Sequence, residues 1–513
     1  MEQEKISDHR DLKLVALLLA IGVVVFQLSM AAKGYSITRD QHLATAIWYA
    51  KGNIDLLNPI LPGFNANGSP TPLEFPIWQA LTAALMKRFG IWYGWGNVVS
   101  LAFMLSTVAL LFDLARRIYS ERVAWWTAVF ALAQPLNIIV GGQAGGDSTA
   151  WALAVCFIYS AYRMMEKCSW GWWAAAAVTG SLSAIVKAPF FMTVGLTAFF
   201  WLLLKHRLSV TAWIQLALAG IVSMAVFVVW NEHAHRLYAL AEFPLVNMDI
   251  LGKESGGIAE WYFGTIHYRL TPMNWIRGGW YFMCYVVGNF GLVFLALAAV
   301  RLRKISEVWL WILAAVCTTM VFTPLILSHT HYFFVFSSAF ALLCASAAHA
   351  FEDGAWQRLQ LNVFGRFVLV MAAIVFSLAE TTQTIHFTQL FDPWKDESAR
   401  IIKEYTAPTD KIVVWGAVWC DPFARCERDG LTGGFSTKNI GWLNDPKKLA
   451  RLKELGYTRL VLMNPSPYLV ALTIATGTQR ERAMNLAEEL PDAAKNWPVL
   501  FSSPQILILQ IPK

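Results

Sequence analysis

Between Trp170 and Leu204 the chain reads WGWWAAAAVTGSLSAIVKAPFFMTVGLTAFFWLLL, more than thirty residues whose one charged side chain is Lys187. A helix needs about 20 apolar residues to cross the hydrocarbon core of a bilayer, so this stretch is long for one span and short for two. Pro189 lacks a backbone donor and its ring collides with the preceding turn. Lys187-Ala188-Pro189 therefore reads as a break between two spans, 170–186 and 189–204.

The rest of the chain agrees with a membrane reading. Of 513 residues, 57% are apolar and 15% charged, and the mean hydropathy is +0.46. A soluble domain carries about 25% charged residues. The deficit excludes a disordered chain, a disulfide-rich mini-protein and an ordinary cytosolic enzyme. The 24 Trp residues suit the membrane–water interface. The net charge of +7, from 41 basic and 34 acidic residues, sets orientation in such a protein and gives no reason to expect nucleic acid as a partner.

Eleven spans are expected, at about 12–32, 95–115, 122–140, 149–165, 170–186, 189–204, 209–230, 279–300, 306–327, 332–350 and 366–385. One alternating set of loops holds Lys5, Arg10 and Lys13; Arg116, Arg117 and Arg122; Arg163 and Lys167; Lys205 and Arg207; Arg301, Arg303 and Lys304; Arg358 and Arg366. Cytoplasmic loops carry such an excess of Lys and Arg. The N-terminus is then cytoplasmic and the tail from about 387 is extracytoplasmic. A single span over 170–204 would break this alternation.

The fold class expected is an α-helical polytopic membrane protein, 1–386, followed by a small extracytoplasmic α/β domain, 387–513. In the first outer loop, Leu43, Ala46, Ile47 and Ala50, and then Leu81, Ala84 and Leu85, recur at helical spacing, as in helices that lie in the interface plane. In the tail, 412–415, 460–463 and 506–511 are strand candidates, and 396–405, 446–455 and 479–490 are helix candidates. Cys420 and Cys426, with five residues between them that include Pro422 and on the expected outer side, are expected to form a disulfide.

Several residues could carry chemistry. Arg39-Asp40 stands just outside span one, where Asp40 is either a helix-start carboxylate favoured by the dipole or a general base. Asp147 ends Gly141-Gly142-Gln143-Ala144-Gly145-Gly146; it is either a helix cap or part of a site whose glycines leave the backbone open to a ligand. Glu74 is a helix-start residue, or a ligand for a metal or a sugar hydroxyl. Lys187 either snorkels to the interface or lines a cavity and takes a phosphate. His329-Thr330-His331-Tyr332 is an aromatic belt with bystander histidines, or a phosphate or metal site. Arg269 lies among the cations and aromatic rings of the loop 231–278, which suit sugar faces, phosphates or a membrane surface.

Taken in order, Asp40, Pro72-Leu73-Glu74-Phe75-Pro76-Ile77-Trp78, Asp147, Val186-Lys187-Ala188-Pro189 and His331-Tyr332-Phe333 resemble the pattern of the GT-C glycosyltransferases of the protein mannosyltransferase type, whose bacterial branch includes lipid A aminoarabinose transferases. The resemblance covers roughly 1–385. It implies transfer of a sugar from a polyprenyl-phosphate donor to an acceptor hydroxyl at the outer face of a bacterial inner membrane, with inversion. It puts Asp40 in the catalytic set as base and Asp147 beside it in support of the donor or acceptor. Lys187 would lie near the lipid phosphate, and His331 and Tyr332 would line the donor pocket. Arg39, Glu74, His329 and Arg269 complete the expected binding residues. Where the family often has Glu-Lys-Pro-Pro, this chain has Leu73-Glu74-Phe75-Pro76, without the lysine. The expected partners are the lipid-linked donor, a glycolipid, lipid A, glycan or protein acceptor, and the bilayer; the protein is expected to be a monomer. No cofactor is required, and a divalent metal ion at Glu74 or His331 is the one candidate.

Two other classes compete. A lipid-linked sugar transporter would have broken helices in corresponding halves, and only the break at 187–189 is found. An O-antigen ligase or polymerase would rely on a large late loop, whereas the acidic residues here crowd the first one.

Overall fold

The computed structural model describes residues 10–32, 40–205, 209–244, 256–288, 306–359, 394–416, 421–434, 443–464, 485–488 and 490–512, with a few positions between 368 and 375. In chain order the helices are α1 (Arg10–Ala32), α2 (Asp40–Lys51), α3 (Ile77–Phe89), α4 (Trp95–Ile118), α5 (Glu121–Ala133), α6 (Asp147–Lys167), α7 (Trp170–Val186), α8 (Ala188–Lys205), α9 (Val210–Tyr238), α10 (Gly256–Phe263), α11 (Ile266–Leu270), α12 (Pro272–Phe282), α13 (Ser306–Val321), α14 (Thr323–Ser328), α15 (Phe334–Leu359), α16 (Trp394–Tyr405), α17 (Asp421–Cys426) and α18 (Pro446–Glu454). The strands are β1 (Lys411–Trp415), β2 (Asp429–Gly434), β3 (Tyr457–Met463), β4 (Val499–Ser502) and β5 (Ile506–Gln510).

The chain divides into two units, Met1–Ser29 with Asn97–Asn231 and Ala259–Ile385, and Met30–Gly96 with Glu232–Ile258 and His386–Lys513. In the first, five segments among the described residues are long and apolar enough to cross a membrane: α1, α4, α8, α9 and Thr330–Ala350. Helices also occupy 121–133, 147–167, 170–186 and 306–321. The span expected at 279–300 is described only as far as 288, and that at 366–385 lies almost wholly outside the described residues. One core joins Leu12, Val15 and Leu19 of α1, Leu101 and Met104 of α4, Trp126 and Phe130 of α5, and Ala341, Ala345 and Ala348 of α15. The alanine stripe on α15 fits packing where small side chains let helices approach closely. By contrast α9 leaves Val210 and Val229 70% exposed, as expected of side chains that meet lipid tails.

The second unit is built on a sheet of order β2-β1-β3-β5-β4. β1 runs parallel to β2 and β3, and β5 lies antiparallel to β3 and β4. Three of its strands sit where the alternating apolar runs put them. β2, Asp429-Gly430-Leu431-Thr432-Gly433-Gly434, carries no such run. Its glycine content has a packing cause: a Cβ on Gly433 would lie 2.3 Å from the Trp415 ring. The helix candidate at 479–490 falls largely outside the described residues.

The tail does not close its own core. Gly63 of the first loop bridges Leu431 in parallel, and its carbonyl accepts from Thr432 N at 2.7 Å. A side chain there would meet the Phe423 ring, and φ is +79°, so the site takes glycine. Leu61, Phe64 and Tyr238 pack with Ile412, Val414 and Ile508 on one side of the sheet, and Ala66 packs with Trp415 and Leu460 on the other.

Two expectations are corrected here. α2 does not divide into a buried apolar face and an open polar one: Gln41, His42 and Thr45 are buried as fully as Leu43, Ala46 and Ile47, because α3 and α17 pack against it. α3 does keep an amphipathic surface, with Trp78 and Met86 buried and Leu81 and Phe89 exposed. The Cys420–Cys426 bridge is absent: Cys420 lies outside the described residues, and Cys426 is a free thiol buried in the apolar core beside Phe423 and Ile402. Burial pushes that thiol up to about 11.

Glu427 braces α2 to the tail, with Lys51 Nζ and Lys403 Nζ each 2.8 Å from its carboxylate. The two lysines lower its pKa from 4.5 to about 2. Because the folded value is depressed, the stabilisation is present above pH 4.5 and is lost as pH falls towards 2. The partners are 41–47% exposed, so water and salt screen the contribution to at most about 1 kcal/mol. Melting of Glu427→Gln should approach wild type near pH 2 and fall below it at pH 6; a constant difference across that range would remove the triad from the account.

Candidate active site

The break at Lys187 is built as the sequence dictates. Lys187 takes an extended backbone, φ −150° and ψ 96°, between α7 and α8, and its carbonyl accepts from Phe190 N at 3.0 Å. Pro189 stands in the first turn of α8, where a missing N–H costs nothing. The side chain does not snorkel. It is 6% exposed, and its Nζ lies 2.7 Å from Asp147 Oδ1, itself 6% exposed. Nζ also sits 4.7 Å from the centre of the Tyr332 ring, within reach of a cation–π contact.

Asp147 reaches this pair as the first residue of α6. The helix is flanked by Gly146, and the Asp147 carboxylate turns to Lys187. The preceding glycine hairpin is packed within the protein. Residues 141–150 are all buried. Asn97 Nδ2 donates to Gly142 O and Ser100 Oγ to Gly145 O, each at 3.1 Å. A Cβ on Gly142 would strike the Gln27 side chain. Gly142 thus serves the packing of α1 against the hairpin.

Tyr332 belongs to a short 3-10 turn, Thr330–Phe333, ahead of α15. Its ring centre is 4.5 Å from that of His331, 5.9 Å from Phe190 and 6.3 Å from His329. His329 faces Trp261 edge-on at 5.1 Å and approaches Leu325 O through Nδ1 at 3.2 Å. Both histidines thus border the Lys187 pair through Tyr332. Arg269 has a different setting: its Nε donates to Phe263 O at 3.1 Å and its Nη2 to Val321 O at 3.2 Å. Those bonds tie the end of α10 to the end of α13.

In the second unit, Asp40 is the first residue of α2. Its side chain and all of Arg39 lie outside the described residues. Glu74 is buried, with Oε1 3.2 Å from His42 Nδ1. Gln79 Nε2 approaches the same nitrogen at 2.8 Å, and Trp78 meets the imidazole edge-on. One ring nitrogen cannot serve both: protonated it donates to Glu74, and unprotonated it accepts from Gln79. His42 and Gln79 were not singled out from the sequence. The signal was present, since His42 stands two residues after Asp40 and Gln79 five after Glu74. Glu74 and His42 offer one oxygen and one nitrogen donor, short of the four ligands of a closed zinc site. Among the described residues no cluster of three or more His, Cys, Asp or Glu is formed.

Chemically, a lysine ammonium buried against an aromatic face has the charge needed to neutralise an anion away from water.

A family model described as dolichyl-phosphate-mannose-protein mannosyltransferase matches residues 72–230, a range that contains Glu74, Asp147 and Lys187. No curated protein matches the chain by sequence. Among solved structures, ArnT from Cupriavidus metallidurans bound to undecaprenyl phosphate is similar with a TM-score of 0.62 at 13% identity, over 97% of this chain and 98% of that one. An Archaeoglobus fulgidus oligosaccharyltransferase is similar with a TM-score of 0.52 at 11% identity, over 89% of this chain and 70% of that one. Its form with zinc and sulfate gives 0.50 at 11% identity, over 87% and 68%. At these identities the likeness is one of fold, and it bears out the resemblance read from the sequence.

Proposed function

We propose that this chain, a glycosyltransferase of the GT-C type, moves a sugar from a polyprenyl-phosphate donor to an acceptor hydroxyl at the outer face of a bacterial inner membrane, with inversion. The observation that carries the reading is the buried Lys187–Asp147 pair at the break between two apolar helices. Intramembrane charges of this kind are expensive and mark functional sites. The similar ArnT structure holds undecaprenyl phosphate, the class of lipid phosphate that such a transfer would leave behind.

The acceptor oxygen attacks the anomeric carbon, and its proton passes to Asp40. The bond from that carbon to the phosphate oxygen breaks on the opposite face. The polyprenyl phosphate leaves with the electron pair, stabilised by Lys187, with His331 and Tyr332 at the wall of the site. Activation resides in the donor's phosphate linkage, so no nucleotide is consumed. The alternation of basic loops supports an N-terminus in the cytoplasm and a tail outside, with the protein acting as a monomer. A divalent ion at Glu74 or His331 is not needed for transfer: Glu74 has only His42 beside it as a further donor among the described residues, and activity should survive exhaustive chelation.

Acceptor class is tested in the cell. A deletion strain should lack one sugar on a surface glycolipid, lipid A, glycan or protein by mass spectrometry, and should accumulate the lipid-linked donor. A strain with unchanged envelope sugars and no such accumulation would contradict the function.

A further inference from the structure

Lys187 is the buried cation of the proposed donor site, yet a carboxylate already neutralises it at 2.7 Å. That costs the site affinity for any anion, and catalysis by charge neutralisation alone gives no reason for it. The reason lies in what the reaction does to the phosphate. The donor is a phosphodiester with one negative charge. The product is a phosphomonoester with nearly two at neutral pH. We propose that Asp147 makes the Lys187 site discriminate by charge, so that it accepts the singly charged diester of the donor and releases the doubly charged monoester left after transfer. The inference rests on the reading of Lys187 as the phosphate site.

The geometry supports this in three ways. Both partners are 6% exposed, so little water screens them and charge interactions are stronger than in solution. An anion hydrogen-bonded to Nζ would lie on the order of 5 Å from the Asp147 carboxylate, given charge-assisted bonds of about 2.8 Å. At that separation the carboxylate cancels roughly half of the potential that Lys187 sets up. The cost of desolvating the anion, meanwhile, rises as the square of its charge. The second charge that develops on the leaving phosphate is still stabilised by the lysine, but only about half as strongly as by an unpaired one, so the monoester is not held tightly once its desolvation cost is counted. Tyr332, 4.7 Å from Nζ, holds the cation without adding a charge of its own.

The test uses the purified full-length protein and two probes, geranylgeranyl phosphate and its methyl diester, which share a lipid and differ by about one charge. Wild type should bind the diester at least as tightly as the monoester. Asp147→Asn should shift that preference towards the monoester by about tenfold or more, and Asp147→Glu should keep the wild-type preference. A wild type that prefers the monoester tenfold, or an Asp147→Asn variant with an unchanged ratio, overturns the proposal. Should Asp147→Asn fail to fold, the wild-type comparison decides by itself. Lys187→Met distinguishes the two levels: unchanged binding of both probes removes the phosphate site itself, whereas loss of both with an unaltered Asp147→Asn ratio removes only the charge discrimination.

Discussion

Asp40→Asn should lower turnover at least about 100-fold, the effect expected when a general base is lost, while donor binding stays within about twofold. The substitution keeps shape and removes only the basic oxygen. α2 is buried on all its faces from Gln41 to Ile47, so the helix has no room to shift and bring another group to the position. It also holds no other acidic residue. A carboxylate that only favours the helix start would cost about 0.3–1 kcal/mol of stability when neutralised and leave the chemistry alone. Single-turnover rates at saturating donor, with donor affinity measured separately, distinguish the two. Near-normal turnover would take Asp40 out of the reaction.

Lys187→Ala should be the most damaging change in the transmembrane unit. It leaves the Asp147 carboxylate buried without the cation 2.7 Å away, and breaking a buried pair from one side costs about 3–5 kcal/mol. Donor affinity should fall at least about tenfold, since hydrogen bonds to charged groups contribute about 1.5–3 kcal/mol. The two losses separate in Lys187→Met/Asp147→Asn, which removes both charges: stability should recover towards wild type and donor binding should not. Lys187→Arg should restore part of the affinity, because the charge is kept while the planar fork fits the pocket imperfectly. Recovery of donor binding in the neutral double variant would show that the phosphate is held elsewhere.

What the sequence made legible follows from how local each cause is. The break at Lys187 was readable because proline and a charge in an apolar run act on their own helix. The strands β1, β3 and β5 were readable because apolar runs mark buried strands. β2 was not, since Gly433 answers to the Trp415 ring, a neighbour distant in sequence. For the same reason the packing of Gly142 was not legible: its neighbour, the Gln27 side chain, is distant in sequence. The sharing of the sheet core by Leu61, Phe64 and Tyr238 is likewise a tertiary fact. At the site, the residue types at Asp147, Lys187, His331 and Tyr332 could be named, but their pairing could not. Arg269 was placed only among aromatic residues, and its bonds to the carbonyls of Phe263 and of Val321, the latter distant in sequence, were not legible. The bridge expected at Cys426 failed because the thiol faces an apolar core.

The central claim is most directly tested by transfer in a defined system. The purified protein in lipid vesicles, given a synthetic polyprenyl-phosphate sugar of known anomeric configuration and envelope acceptors from the deletion strain, should form a glycoside of the opposite configuration. One polyprenyl phosphate should be released for each sugar moved, without any nucleotide. Retained configuration, or transfer that requires a nucleotide sugar, would contradict the account.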